Sequence, residues 1–113
     1  MKAITKIIFL DDNEDRFFGE GPARLLHKVE TEGSLRAAAF SMGMAYTKAL
    51  KLLKHAEEVL GYPLTTRSAG GKHGGGSKLT PEGKEWLKRY EAYRDACICA
   101  NRQLYLECFP EQS

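Results

Sequence analysis

Tyr46, Thr47, Lys48, Lys51 and Lys54 set a phenol, a hydroxyl and three ammonium groups within nine residues. On a helix, residues three and four apart are neighbours, so these side chains gather on one side and its flanks. Every one of them is a donor toward anionic oxygen. Lysine also donates to the O6 and N7 edge of guanine, and Leu50 between them offers a methyl contact to thymine or packing against a neighbouring helix. This is chemistry for gripping and reading a polyanion. The plain alternative is a solvated lysine face.

Such a set needs a helix held out from a body, and the flanking residues supply one. Leu35, Ala38, Ala39 and Met42 fall at i, i+3, i+4 and i+7, one apolar stripe. Ser34 is a good N-cap for that helix. Gly43 can take a positive φ and turn the chain sharply, and Met44 plugs the corner. A second helix over 45–60 follows, with Ala49, Leu53, Ala56 and Leu60 inward, ended by Gly61 and Pro63. Helix, tight turn and basic second helix are the form of a helix-turn-helix. An αα-hairpin in a helical core is the alternative. In the DNA-binding reading the contacts are Ala45, Tyr46, Thr47, Lys48, Leu50 and Lys51 in the major groove. Ser34, Arg36 and Lys54 lie at the backbone.

A β-wing is predicted next. Leu64–Arg67 and Ser77–Thr80 are its strands, joined by a loop from Ser68 to Gly76 with five glycines. Lys72 and His73 at its tip are placed to reach a minor groove, and Arg67 to bind phosphate or an acidic side chain. At the N-terminus, Thr5–Leu10 and Arg16–Phe18 flank the turn-like Asp11–Asp15 and read as a hairpin. Gly19–Gly21 breaks it. Pro22 suits the first position of a helix that buries Leu25, Leu26 and Val29.

Thr80, Pro81 and Glu82 open a long last helix. Along it Trp86, Tyr90, Tyr93, Cys97, Ala100 and Leu104 form a heptad-type seam. A second copy of the chain is expected to cover that seam, because closed two-fold dimers are the commonest soluble oligomers. Burial against the N-terminal hairpin is the competing arrangement. The expected fold is mainly α with small β, an α+β winged helix-turn-helix. One domain spans 1–113: hairpin 1–18, helix-turn-helix and wing 22–80, dimerisation helix 81–108.

Charge is distributed to match. The net charge is only +2, yet residues 45–89 carry nine basic and four acidic side chains, against five basic and seven acidic in residues 1–32. Such polarity fits a footprint on phosphate.

Residues 33–67 resemble the helix-turn-helix of LysR-type regulators in the order Gly33-Ser34, Ala37-Ala38, Ala45 to Lys51, Glu57-Glu58, Leu60-Gly61, Pro63-Leu64 and Arg67. The wing Gly70-Gly71-Lys72-His73-Gly74-Gly75-Gly76, with Leu79-Thr80 and Gly83, is similar to the N-terminal DNA-binding domain of the molybdate-responsive ModE regulators. So is Ala45-Tyr46-Thr47-Lys48-Ala49. The resemblance covers about residues 20–90 and implies DNA binding and dimerisation. Full-length ModE regulators carry a molybdate-binding module, whereas this chain ends at Ser113, so oxyanion sensing is not implied.

Other chemistries fit poorly. A P-loop needs Gly-Lys-Ser/Thr between a buried strand and a helix, and Gly76-Ser77-Lys78 has the wrong order. Cys97 and Cys99 point to different sides of a helix, and an odd total of three cysteines argues against a disulfide framework. His27, His55 and His73 have no metal spacing. No serine, histidine and acid arrangement marks an enzyme, and no cofactor is implied. No apolar run has the length of a membrane span or signal core, so a cytoplasmic protein is expected. The expected partners are double-stranded DNA, at a palindromic operator, and a second copy of the chain. The alternatives are a protein-interaction module and a non-specific architectural DNA binder.

Overall fold

The computed structural model describes residues 1–68 and 75–112. Four helices and two antiparallel hairpins follow in the order β1 (Phe9–Leu10), β2 (Arg16–Phe18), α1 (Glu20–Glu32), α2 (Leu35–Ser41), α3 (Tyr46–Leu60), β3 (Thr65–Ser68), β4 (Gly76–Leu79) and α4 (Pro81–Cys108). This is the winged helix-turn-helix α+β fold.

The helix ends follow local chemistry. The Ser34 hydroxyl accepts from Ala37 N at 3.0 Å and caps α2. Gly33 and Gly61 close α1 and α3 in the left-handed region, at φ 80° and 83°, where a Cβ would be strained. Their amides donate to Val29 O and Glu57 O. α1 begins at Glu20, two residues ahead of the expected start. Pro22 still fits, because the amide it lacks is one that no first turn pairs.

The core lies where α1, α2, α3 and the first turns of α4 meet. It holds Leu25, Leu26 and Val29 of α1, Ala38 and Ala39 of α2, and Ala49, Leu53 and Ala56 of α3. Small alanines let α2 approach its neighbours closely. Leu60 and Met44 are half-buried against this cluster, and Leu64 beyond α3 is fully buried. The Thr80 hydroxyl accepts from Gly83 N at 2.9 Å and donates to Pro63 O at 2.7 Å, so one side chain caps α4 and ties it to the end of the α3 loop.

The N-terminal strand is shorter than its β-rich composition predicts. Only Phe9–Leu10 pairs, with Phe9 opposite Phe18 and Leu10 opposite Arg16 across a bulge. β2 ends at Phe18 and α1 starts at Glu20, which leaves residues 5–8 no strand to join. Instead the arm runs antiparallel along α4. Ile7 O accepts from the Tyr90 hydroxyl at 3.1 Å, Ala3 O from Asn101 Nδ2 at 3.2 Å, and Met1 O from the Tyr105 hydroxyl at 2.9 Å.

The hairpin settles part of the α4 seam differently from expectation. Phe18 packs edge-on against Trp86 and Tyr90, with ring centroids 5.3 and 5.0 Å apart, and Phe9 lies 5.5 and 5.9 Å from the same two rings. Tyr90 is 2% exposed. It has almost no surface left to offer a partner, and Trp86 turns its ring into the same aromatic cluster. Tyr90 thus belongs to the core, and half-buried Trp86 packs against it. From Glu91 to Cys108 no residue is buried; Tyr93 and Leu104 are 53% and 56% exposed, Ala100 is exposed and Cys97 half-buried. Among the described residues, no helix is long and apolar enough to cross a membrane.

Candidate nucleic-acid interface

The corner between α2 and α3 is built by backbone bonds. Gly43 takes φ 65°. Its amide donates to Phe40 O at 3.0 Å, and Met44 N reaches back to Ala39 O at 2.9 Å. Ala45 then sits in extended backbone as the N-cap of α3 and contributes no side-chain cap. The first-turn amides of Tyr46, Thr47 and Lys48 consequently have no acceptor among the described residues. They add partial positive charge to that end of the helix.

α3 divides by face. Ala49, Leu53 and Ala56 are buried, whereas Ala45, Thr47, Lys48, Lys51 and Lys54 are exposed. Tyr46 and Leu50 stand between. Both are half-buried against the core, so Leu50 takes the packing role that was the alternative to a thymine contact. Ser34 is half-buried, with its oxygen used as the α2 cap; its hydroxyl proton is left for an outside acceptor. The Arg36 guanidinium lies over the Tyr46 ring, 4.2 Å from the centroid, which joins the first turns of α2 and α3.

The cations of this face are unpaired. Arg36, Lys48, Lys51, Lys54 and Arg67 form no ion pair with the described residues. Arg94 on α4 is the contrast, with Glu20 at 3.1 Å and Asp95 at 3.0 Å. Burial works against its charge, and those two carboxylates raise its pKa nonetheless. Among the described residues Arg94 is the one lysine or arginine that forms an ion pair.

The wing is anchored at its base. Leu64 N donates to Glu57 Oε2 at 2.7 Å, and Ser77 N donates to Gly33 O at 2.8 Å, which ties β4 to the α1–α2 junction. The strands pair in register from Thr65 opposite Leu79 to Ser68 opposite Gly76. Arg67 is exposed on β3. Lys72 and His73 lie outside the described residues. Lys78 is a further exposed cation on β4, opposite Thr66, that the sequence reading passed over; its signal was its place in the return strand.

The N-terminal hairpin also touches α3. Asp11 Oδ1 accepts from Asn13 N and Asp15 N, which folds the hairpin turn. Its other oxygen is 3.3 Å from His55 Nε2 on α3. The hairpin thus contacts α3 at His55, one helical turn beyond Lys51 on the same side of the helix. Residues 11 and 55 carry no periodic signal that would pair them.

A basic, exposed, outward-facing helix on a compact winged body defines a helix-turn-helix regulator. Residues 23–84 match the bacterial regulatory helix-turn-helix proteins of the lysR family, and the chain belongs to that family. By that membership residues 23–84 are a helix-turn-helix DNA-binding domain. The chain is 32% identical over 83 residues to the molybdenum transport protein ModE of Azotobacter vinelandii, a match over 74% of this chain and 31% of that protein. The molybdenum-pterin-binding protein MopB of Rhodobacter capsulatus is 37% identical over 68 residues, 60% of this chain and 25% of its own length. The transcriptional regulator ModE of Haemophilus influenzae is 34% identical over 91 residues, 80% of this chain and 36% of its own. The chain thus matches between a quarter and about a third of the length of these relatives.

Proposed function

We propose that residues 1–113 act as one winged helix-turn-helix unit that binds a palindromic operator as a homodimer. Helix 45–60 enters the major groove, and the 68–76 wing follows the flanking groove. Thr47, Lys48 and Lys51 read or grip at the groove, with Lys54 and Arg67 on phosphates. The observation that carries this reading is the division of α3: Thr47, Lys48, Lys51 and Lys54 exposed on one side, Ala49, Leu53 and Ala56 buried on the other.

Self-association is assigned to the exposed part of α4, through Tyr93, Cys97, Ala100 and Leu104. The helix is about 42 Å long at 1.5 Å per residue, and its second half extends past the core. Two-fold symmetry would set the recognition helices one turn of DNA apart, about 34–36 Å, or a multiple of it. The reading assigns these residues DNA binding and self-association only.

Sheared genomic DNA is incubated with the purified protein at about 0.15 M salt, where non-specific binding is weak, and the retained fragments are sequenced. One enriched palindromic motif supports the reading. Unselective retention indicates an architectural binder, and no retention a protein-interaction module.

A further inference from the structure

We propose that Tyr46 is a positioning residue that holds the Arg36 guanidinium against a DNA phosphate, so that α2 and α3 share one backbone contact through a stacked pair. This rests on the DNA-docking reading above and adds a role division that the reading lacks.

Three independent features carry it. First, the guanidinium lies 4.2 Å from the Tyr46 ring centroid, and that ring is itself half-buried against the core. Stacking uses the face of the planar group and leaves its in-plane N–H donors free for a phosphate fork. A pre-placed guanidinium loses less rotamer freedom when it binds.

Second, Arg36 is exposed and has no ion pair or hydrogen bond with the described residues. Its in-plane donors are therefore not engaged by any described carboxylate or carbonyl.

Third, Arg36 sits in the first turn of α2, where a cation opposes the helix macrodipole. Neither α2 nor α3 has an acidic residue in its first turn. Arg36 and Lys48 therefore stand in the first turns of α2 and α3 with no acidic residue in either turn. A local rule broken without compensation inside the chain points to a partner that supplies it; an anion does so.

The test uses the full chain and a labelled mixed-sequence duplex of about 30 base pairs, titrated across about 50–200 mM salt, since a phosphate contact is independent of sequence. Arg36→Ala is expected to weaken binding about tenfold, within the range for a charged hydrogen bond, and to lower the salt slope by about 0.9. Tyr46→Leu is expected to weaken it about twofold to fivefold, the worth of an exposed cation–π contact. Tyr46→Phe keeps the ring that places Arg36 and is expected to retain more binding than Tyr46→Leu. In the Arg36→Ala background, Tyr46→Leu adds nothing. Arg36→Lys keeps the charge but loses the stack, and falls between wild type and Arg36→Ala. Arg36 is exposed, so its variants stay folded even where Tyr46→Leu does not. A wild-type slope and affinity in Arg36→Ala, or an equal loss from Tyr46→Leu with and without Arg36, overturns the proposal. If wild type itself shows no salt-dependent binding, the docking reading has failed and this proposal falls with it.

Discussion

Gly83 lies against the backbone of Leu64 so closely that a Cβ on it would overlap the Leu64 carbonyl oxygen. That oxygen also accepts from Thr80 N at 3.0 Å, so it has no freedom to withdraw. The contact seats the first turn of α4 on the segment that leads from α3 into the wing. Gly83→Ala is expected to destabilise the fold by roughly 1–3 kcal/mol, the usual range for overpacking, and a thermal melt reads it as a fall of several degrees in unfolding midpoint.

Thr80 makes two bonds at the same junction. Thr80→Ala removes the cap on Gly83 N and leaves Pro63 O without its donor, at a cost of about 1–2 kcal/mol. Thr80→Ser keeps both bonds and should recover most of that loss. Chemical denaturation of the two variants separates the hydroxyl from the methyl group; equal losses would mean that packing, not capping, is what Thr80 provides.

Tyr90 tethers the N-terminal arm through Ile7 O. Tyr90→Phe keeps the aromatic packing and drops the bond, so it should cost about 0.5–1.5 kcal/mol and speed hydrogen exchange in residues 5–8. Burial, reinforced by Glu20 and opposed by Arg94, holds the phenol pKa above its ordinary value. With the folded pKa raised, the stability from this group is complete below the unfolded value of about 10 and is lost as pH rises through the folded one. Between those two values wild type should lose stability faster than Tyr90→Phe.

Lys51→Glu puts a negative charge on the exposed face of α3 and touches nothing in the core. Duplex binding should fall at least tenfold while sedimentation shows the same oligomer as wild type. Wild-type affinity in this variant would mean that α3 does not face DNA.

Leu104→Glu tests the α4 surface. Leu104 is 56% exposed, so the substitution should leave the unfolding midpoint of dilute protein unchanged and shift the species in solution from dimer to monomer. An unchanged dimer would place self-association elsewhere.

The sequence by itself determined the helix-turn-helix and its boundaries. The cap bonds of Ser34 and Thr80 on Ala37 N and Gly83 N, and the left-handed turns at Gly33, Gly43 and Gly61, act within four residues, so residue type and position suffice. The apolar spacings of α2 and α3 likewise identify which side packs, and by subtraction which side presents Lys48, Lys51 and Lys54. Tertiary structure alone decided what meets those sides. The aromatic stripe of α4 announces that it needs cover; only the path of the chain shows that Phe9 and Phe18 cover Trp86 and Tyr90, while Tyr93, Ala100 and Leu104 stay exposed. Thr5–Ile8 have strand-forming side chains and no strand to pair with, because β2 ends before it can reach them. Asp11 with His55, and Arg36 with Tyr46, are pairs set by where helices pack, and contacts between distant segments leave no period in the chain to be read.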